Sequence, residues 1–151
     1  MYYCEYNLAR SLGVWIFQGN AISPSEWDAH FADIRTLIAG HKTRTTRPAV
    51  LLLMLGGTDR PDALKRQELS ALTSASGYNP YLALVSRNPL VRGAFSALRW
   101  LQKTPNYEGD VFAETAQALS WLETKRGEKL PELLAMSARG QAANDRKKTT
   151  R

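Results

Sequence analysis

The stretch Val50-Leu51-Leu52-Leu53-Met54-Leu55 constrains the fold of this 151-residue chain more than any other. Six consecutive apolar residues without polar alternation, preceded by Pro48 and ended by Gly56-Gly57, are too few for an ordinary helix. Such a run reads as a strand buried on both faces, which needs neighbours on either side and a layer above and below. Tyr81-Leu82-Ala83-Leu84-Val85 repeats the signal. A chain of this length, with 44% hydrophobic residues, closes a core without disulfides. Its single cysteine, Cys4, fits a reducing compartment.

Around these two strands the pattern alternates between periods of two and of 3.6 residues. Residues 2–8 alternate, with Tyr2, Cys4, Tyr6 and Leu8 on one side, and Arg10 to Gly13 turns into a second strand, Val14 to Gln18. Ser23-Pro24-Ser25-Glu26 is a helix start with a capping box. Trp27, Phe31, Ile34 and Ile38 follow on one face, and Gly40 ends the helix. A second helix is expected from about Pro61 to Ala75, with Leu64, Leu69 and Leu72 inward. A third opens at Asn88-Pro89 and carries Val91, Ala94, Phe95, Leu98 and Leu101. A short strand, Val111 to Ala113, leads to a fourth helix with Ala116, Leu119 and Leu122, stopped by Gly127. The order β-β-α-β-α-β-α-β-α predicts an α/β fold: a mixed five-stranded sheet covered by about four helices, with an opening β-hairpin.

Charge divides the chain. Residues 1–138 hold 15 Lys/Arg against 13 Asp/Glu, a net of +2, while residues 139–151 hold five against one, a net of +4. The expected organisation is a domain over 1–127, a short helical extension over 128–138 and a disordered basic tail over 139–151. The tail is free to contact acidic surfaces. The groups Lys42/Arg44/Arg47 and Arg60/Lys65/Arg66 read as solvated faces. No apolar run approaches the roughly 20 residues that span a bilayer, and the first residues do not form a signal peptide, so a cytoplasmic protein is expected.

Catalytic signatures are sparse. The chain has no nucleophile elbow, P-loop, zinc-protease motif or dinucleotide fingerprint. His30 borders the apolar face of the first helix and reads as a packed histidine, and His41 sits past that helix's end. Glu108 and Asp110 are loop carboxylates without the setting of an acid/base pair. No cofactor or metal is implied, and the expectation is a non-enzyme.

Three segments resemble the STAS domain, in particular its SpoIIAA-like branch. They are Val14-Trp15-Ile16-Phe17 with Gly19 and the helix from Ser23; Pro48 to Leu55 with the turn after it; and Phe112 to Leu122, with an Ala-Leu-x-Trp-Leu ending. The resemblance implies a bacterial signalling or scaffolding domain that works by binding a protein partner, with homodimer formation as a further mode. The family's phosphorylated Asp-Ser-[Ser/Thr]-Gly motif is replaced here by Gly56-Gly57-Thr58-Asp59-Arg60-Pro61-Asp62. Thr58, the one hydroxyl residue in that turn, is the candidate phosphosite, or else a helix cap. Arg99 and Trp100 are the candidate partner surface, against a half-buried core edge for Trp100. The alternative function is small-ligand or anion binding at the strand ends. Gly56-Gly57-Thr58 and Ser86-Arg87-Asn88 each open a helix there, and Arg92 lies one turn further on.

Overall fold

A computed structural model describes residues 1–40, 47–57, 60–102 and 105–149, with the backbone alone at Lys147 and Lys148. Five strands, β1 (Tyr2–Asn7), β2 (Leu12–Phe17), β3 (Val50–Leu55), β4 (Tyr81–Val85) and β5 (Glu108–Phe112), form one sheet in the order β1-β2-β3-β4-β5. The β1–β2 pair is antiparallel and every other pair is parallel. The mixed α/β sheet expected from the sequence is therefore present, with five helices rather than about four. These are α1 (Pro24–Ala39), α2 (Ala63–Ser74), α3 (Pro89–Leu101), α4 (Thr115–Arg126) and α5 (Pro131–Thr149).

The run that anchors the sequence reading behaves as its composition requires. In β3, Val50 and Leu52 face one core while Leu51 and Leu53 face another. The first core lies under α1, α2 and α3, the helices that link successive parallel strands. The second lies under α4 and α5, through Ala118, Leu122, Leu130, Leu133 and Met136. Ser23 caps α1 in the expected box: Glu26 N–H donates to Ser23 Oγ (3.3 Å), and Ser23 N–H donates to Glu26 Oε2 (2.7 Å).

Several expectations are corrected. β2 starts at Leu12, two residues early, and β5 starts at Glu108, three early. Glu108 and Asp110 disguise β5 as a loop, because an edge strand tolerates exposed carboxylates. Leu64 and Leu101, expected inward, are exposed. The largest correction concerns the C-terminus. Residues 128–138 are integral to the second core, and the segment expected to be disordered continues as helix to Thr149. Arg139 Nη2 pairs with Glu5 Oε1 on β1 (2.5 Å), and Asn144 is buried. Gly140 abuts Ile16 and the Tyr3 ring so closely that a Cβ there would collide with both. Composition misled because glycine and alanine, which lack bulk, are what a helix needs to lie close on a strand.

Gly140→Val should therefore destabilise the protein by about 1–3 kcal/mol. At roughly 3 °C per kcal/mol for a chain this long, the loss is read as a fall in melting temperature. A detached tail would leave the melting temperature unchanged.

Candidate functional site

The two faces of the sheet are covered unequally. On the first, α1 buries Trp27, His30, Phe31, Ile34 and Leu37, whereas α2 buries only Thr73 and α3 buries no residue. Between the sheet and these helices lies a cavity of about 420 Å3, partly open to solvent. That volume falls within the roughly 300–1,000 Å3 typical of small-molecule sites. Its floor is Trp15 and Phe17 of β2, Leu53 and Leu55 of β3, and Leu82 and Leu84 of β4. Its roof includes Leu69 of α2 and Val91, Phe95 and Leu98 of α3.

The cavity has two distinct ends. Tyr78 and Tyr107 precede β4 and β5, so they mark the end at which the parallel strands begin. There the Tyr107 hydroxyl donates to Gln102 Oε1 (2.9 Å), Gln102 Nε2 donates to Thr73 Oγ1 (2.8 Å), and Thr73 Oγ1 donates to Leu69 O (2.8 Å). This chain ties the end of α3 to α2. Tyr78 packs edge-on against Tyr107 (5.3 Å between centroids) and is 1% exposed. Burial pushes its pKa up, so it stays a neutral donor. At the opposite end, past the C-terminus of β3, the wall is made by Arg60, Pro61 and Arg66. Arg66 Nη1 donates to Pro61 O (2.8 Å), and neither arginine forms an ion pair among the described residues.

His30, only 3% exposed, also lines the cavity. Its ring sits among Trp15 (4.8 Å), Phe17 (5.1 Å) and Tyr2 (5.6 Å). The Tyr2 hydroxyl donates to Asp33 Oδ2 (2.6 Å) and lies 3.2 Å from His30 Nδ1. With the Tyr2 proton given to Asp33, this geometry assigns the imidazole proton to Nδ1 and leaves Nε2 as an acceptor. Desolvation pushes the His30 pKa down to about 3, so the ring is neutral across the ordinary range. The expectation of a packed histidine holds. Among the described residues no His/Cys/Asp/Glu group could hold a metal.

The strand-end residues singled out from the sequence lie elsewhere. Gly56 N–H donates to Phe17 O (2.9 Å), and the Cβ space of Gly57 is filled by the Gly19 carbonyl, so backbone packing at the ends of β2 and β3 requires glycine at position 57. Ser86 is buried, with Oγ accepting from Asn88 N–H (3.3 Å), and Asn88 Oδ1 caps α3 by accepting from Leu90 N–H (2.9 Å). Arg92 Nη1 folds back onto Ser86 O (2.7 Å), whereas Arg87 turns away to Glu114 (3.6 Å). None of them lines the cavity. Thr58 and His41 lie outside the described residues. On α3, Trp100 is 90% exposed rather than at a core edge. Arg99 is partly buried, and its charge offsets only part of the upward shift that burial gives the Tyr107 pKa. Sequence reasoning missed Thr73, Tyr78, Gln102 and Tyr107, which converge only in the fold. It noticed Arg60 and Arg66 but read them as solvated.

His30 gives a pH test. Its folded pKa lies below the unfolded 6.5, so the stability from its burial as a neutral ring is complete above that pH and is lost as pH falls toward 3. The slope approaches about 1.4 kcal/mol per pH unit. Urea midpoints between neutrality and about pH 5 should fall in the wild type and flatten in His30→Phe, since the shifted carboxylates titrate lower still. Parallel curves would show that His30 is not the titrating group. Comparison with family models, with curated proteins and with solved structures finds no match to this chain.

Proposed function

We propose that this protein is a binding domain that holds a small apolar or amphipathic molecule between its sheet and the helices α1 to α3. The carrying observation is the 420 Å3 cavity, whose wall is apolar apart from a few placed groups such as His30 and Tyr78. An apolar wall with a few polar groups is the usual make-up of a small-molecule site. Binding rather than catalysis is the reading favoured, because neutral His30 and the paired Thr73, Gln102 and Tyr107 suit recognition. The resemblance to SpoIIAA-like STAS domains, with a bacterial cytoplasmic setting, belongs to this proposal and draws support from the order of elements. Among the described residues no helix is long and apolar enough to cross a membrane.

The experiment is native mass spectrometry of the purified protein, followed by titration with dodecanol, a neutral single-chain probe, read by melting temperature. Saturating a site that only the folded state offers raises stability by about 2.7 kcal/mol at a hundredfold excess over Kd. The rise should vanish in Val91→Phe/Ala94→Phe, which fills the roof. A rise that persists in that variant would place the binding elsewhere.

A second reading, protein–protein interaction, is favoured by α3. Leu90 (67%), Trp100 (90%) and Leu101 (81%) stand exposed on a helix that buries no residue. Exposed tryptophan is a common interface anchor. The partner would be another component of a signalling or scaffolding complex, or a second copy of the chain. In sedimentation across a concentration series, self-association lost in Trp100→Ala, with stability within about 0.5 kcal/mol of wild type, would support the second copy. A monomer at every concentration would remove it.

A further inference from the structure

The ends of the cavity differ in charge, and this difference selects among its occupants. On the reading of the cavity as a small-molecule site, we propose that its ligand is a single-chain anionic amphiphile, with the hydrocarbon along the sheet and the acidic head at Arg60 and Arg66. Three observations converge. The cavity follows the strands, from Tyr78 and Tyr107 before β4 and β5 to Leu55 and Arg60 at the end of β3, a course that suits an extended hydrocarbon chain. Its middle is aliphatic and aromatic on both sides, through Leu53, Leu84, Val91 and Phe95.

At the arginine end the cavity wall itself carries two cations, Arg60 and Arg66, and no carboxylate. Lys65 is paired with Asp28, and Arg35 with Glu68, so these four cancel. Asp62 spends an oxygen on the Lys65 N–H, capping α2 (2.8 Å). Among the described residues Arg60 and Arg66, both in the cavity wall, form no ion pair. Two guanidinium groups beside an apolar channel suit a carboxylate, which each can bind through paired N–H donors. At the far end the lining residues Thr73, Tyr78 and Tyr107 carry no charge. A ligand with its charge at that end would meet no charged residue in the cavity wall. Orientation follows from this asymmetry.

The test compares dodecanoate with dodecanol, both below the concentration at which they aggregate. Tryptophan fluorescence reads the binding, since Trp15 and Trp27 form part of the wall. The acid is expected to bind at least tenfold more tightly than the alcohol, and rising salt should erode the difference. Arg60→Gln/Arg66→Gln should abolish the acid's advantage and leave the alcohol's affinity unchanged, which also shows that the variant is folded. Equal affinity of acid and alcohol for the wild type would overturn the head-group assignment while leaving the cavity reading intact. Binding of neither would overturn both.

Discussion

Three successive crossovers between neighbouring parallel strands govern this molecule. A right-twisted strand feeding a helix returns to the next strand with one hand, so α1, α2 and α3 all fall on the same side of a sheet whose order is sequential. The opposite face, made by Leu12, Val14, Ile16, Val50 and Leu52, must then be covered by whatever follows β5. This is why the C-terminal residues cannot be an appendage. Without α5, Ile16 and Leu12 would face water. The buried guanidinium of Arg126 helps to place that helix: it donates to Arg10 O (2.9 Å), Ser11 O (3.0 Å) and Pro48 O (3.3 Å). The end of α4 is thus fixed beneath the β1–β2 turn and the approach to β3. The turn at Gly127 then starts α5 along the hairpin.

Covering one face fully and the other loosely has a physical consequence. Leu130, just before α5, and Leu133 and Met136 within it are buried, and Gly140 brings the helix backbone down onto β1 and β2. On the other face α1 packs as tightly, but α2 and α3 are held over the floor by the Tyr107–Gln102–Thr73 chain and by partly buried Leu69, Val91 and Phe95. Side chains that leave a gap lose dispersion contacts, so a sequence optimised for stability alone would fill it. Small Ala94 and Ala97 on α3, where leucine would fit the helical pattern, keep the space open. Elements with so little buried surface also define the low end of local stability.

The legibility of each part follows from how local its cause is. β3 and β4 were readable because burial on both faces leaves an uninterrupted apolar run, and the starts of α1 and α3 because caps are short-range chemistry at Ser23 and Asn88. β5 was truncated because an edge strand carries carboxylates such as Glu108, which pairs with Lys125 across from α4. The inward faces of α2 and α3 were misread at Leu64 and Leu101 because periodicity gives a stripe and not the depth to which a helix docks. The cavity itself is a negative feature: it arises where Thr73, Gln102 and Tyr107 meet, and no window of sequence contains all three. Arg60 and Arg66 were visible as charges, but that their neighbours' charges are spent on each other appears only in the fold.

The two readings of function meet on α3. Val91, Phe95 and Leu98 form the cavity roof while Leu90 and Trp100 of the same helix stand in solvent, and Leu101 does both. A molecule that packs under Phe95 and Leu98 stabilises one placement of this helix over others. A partner that grips Trp100 does so as well, from the outside. Two ligands that bias the same element are thermodynamically linked, and each changes the affinity of the other by the same factor. Since α3 is held by partly buried Val91 and Phe95 and by the Gln102 chain rather than by a fully buried residue, its placement is the coordinate through which an occupied cavity would be read at the surface. Ligand binding and protein recognition therefore form a single question about where α3 sits. The Gln102 link at its C-terminal end and the Asn88 cap at its N-terminal end hold it in the placement seen here.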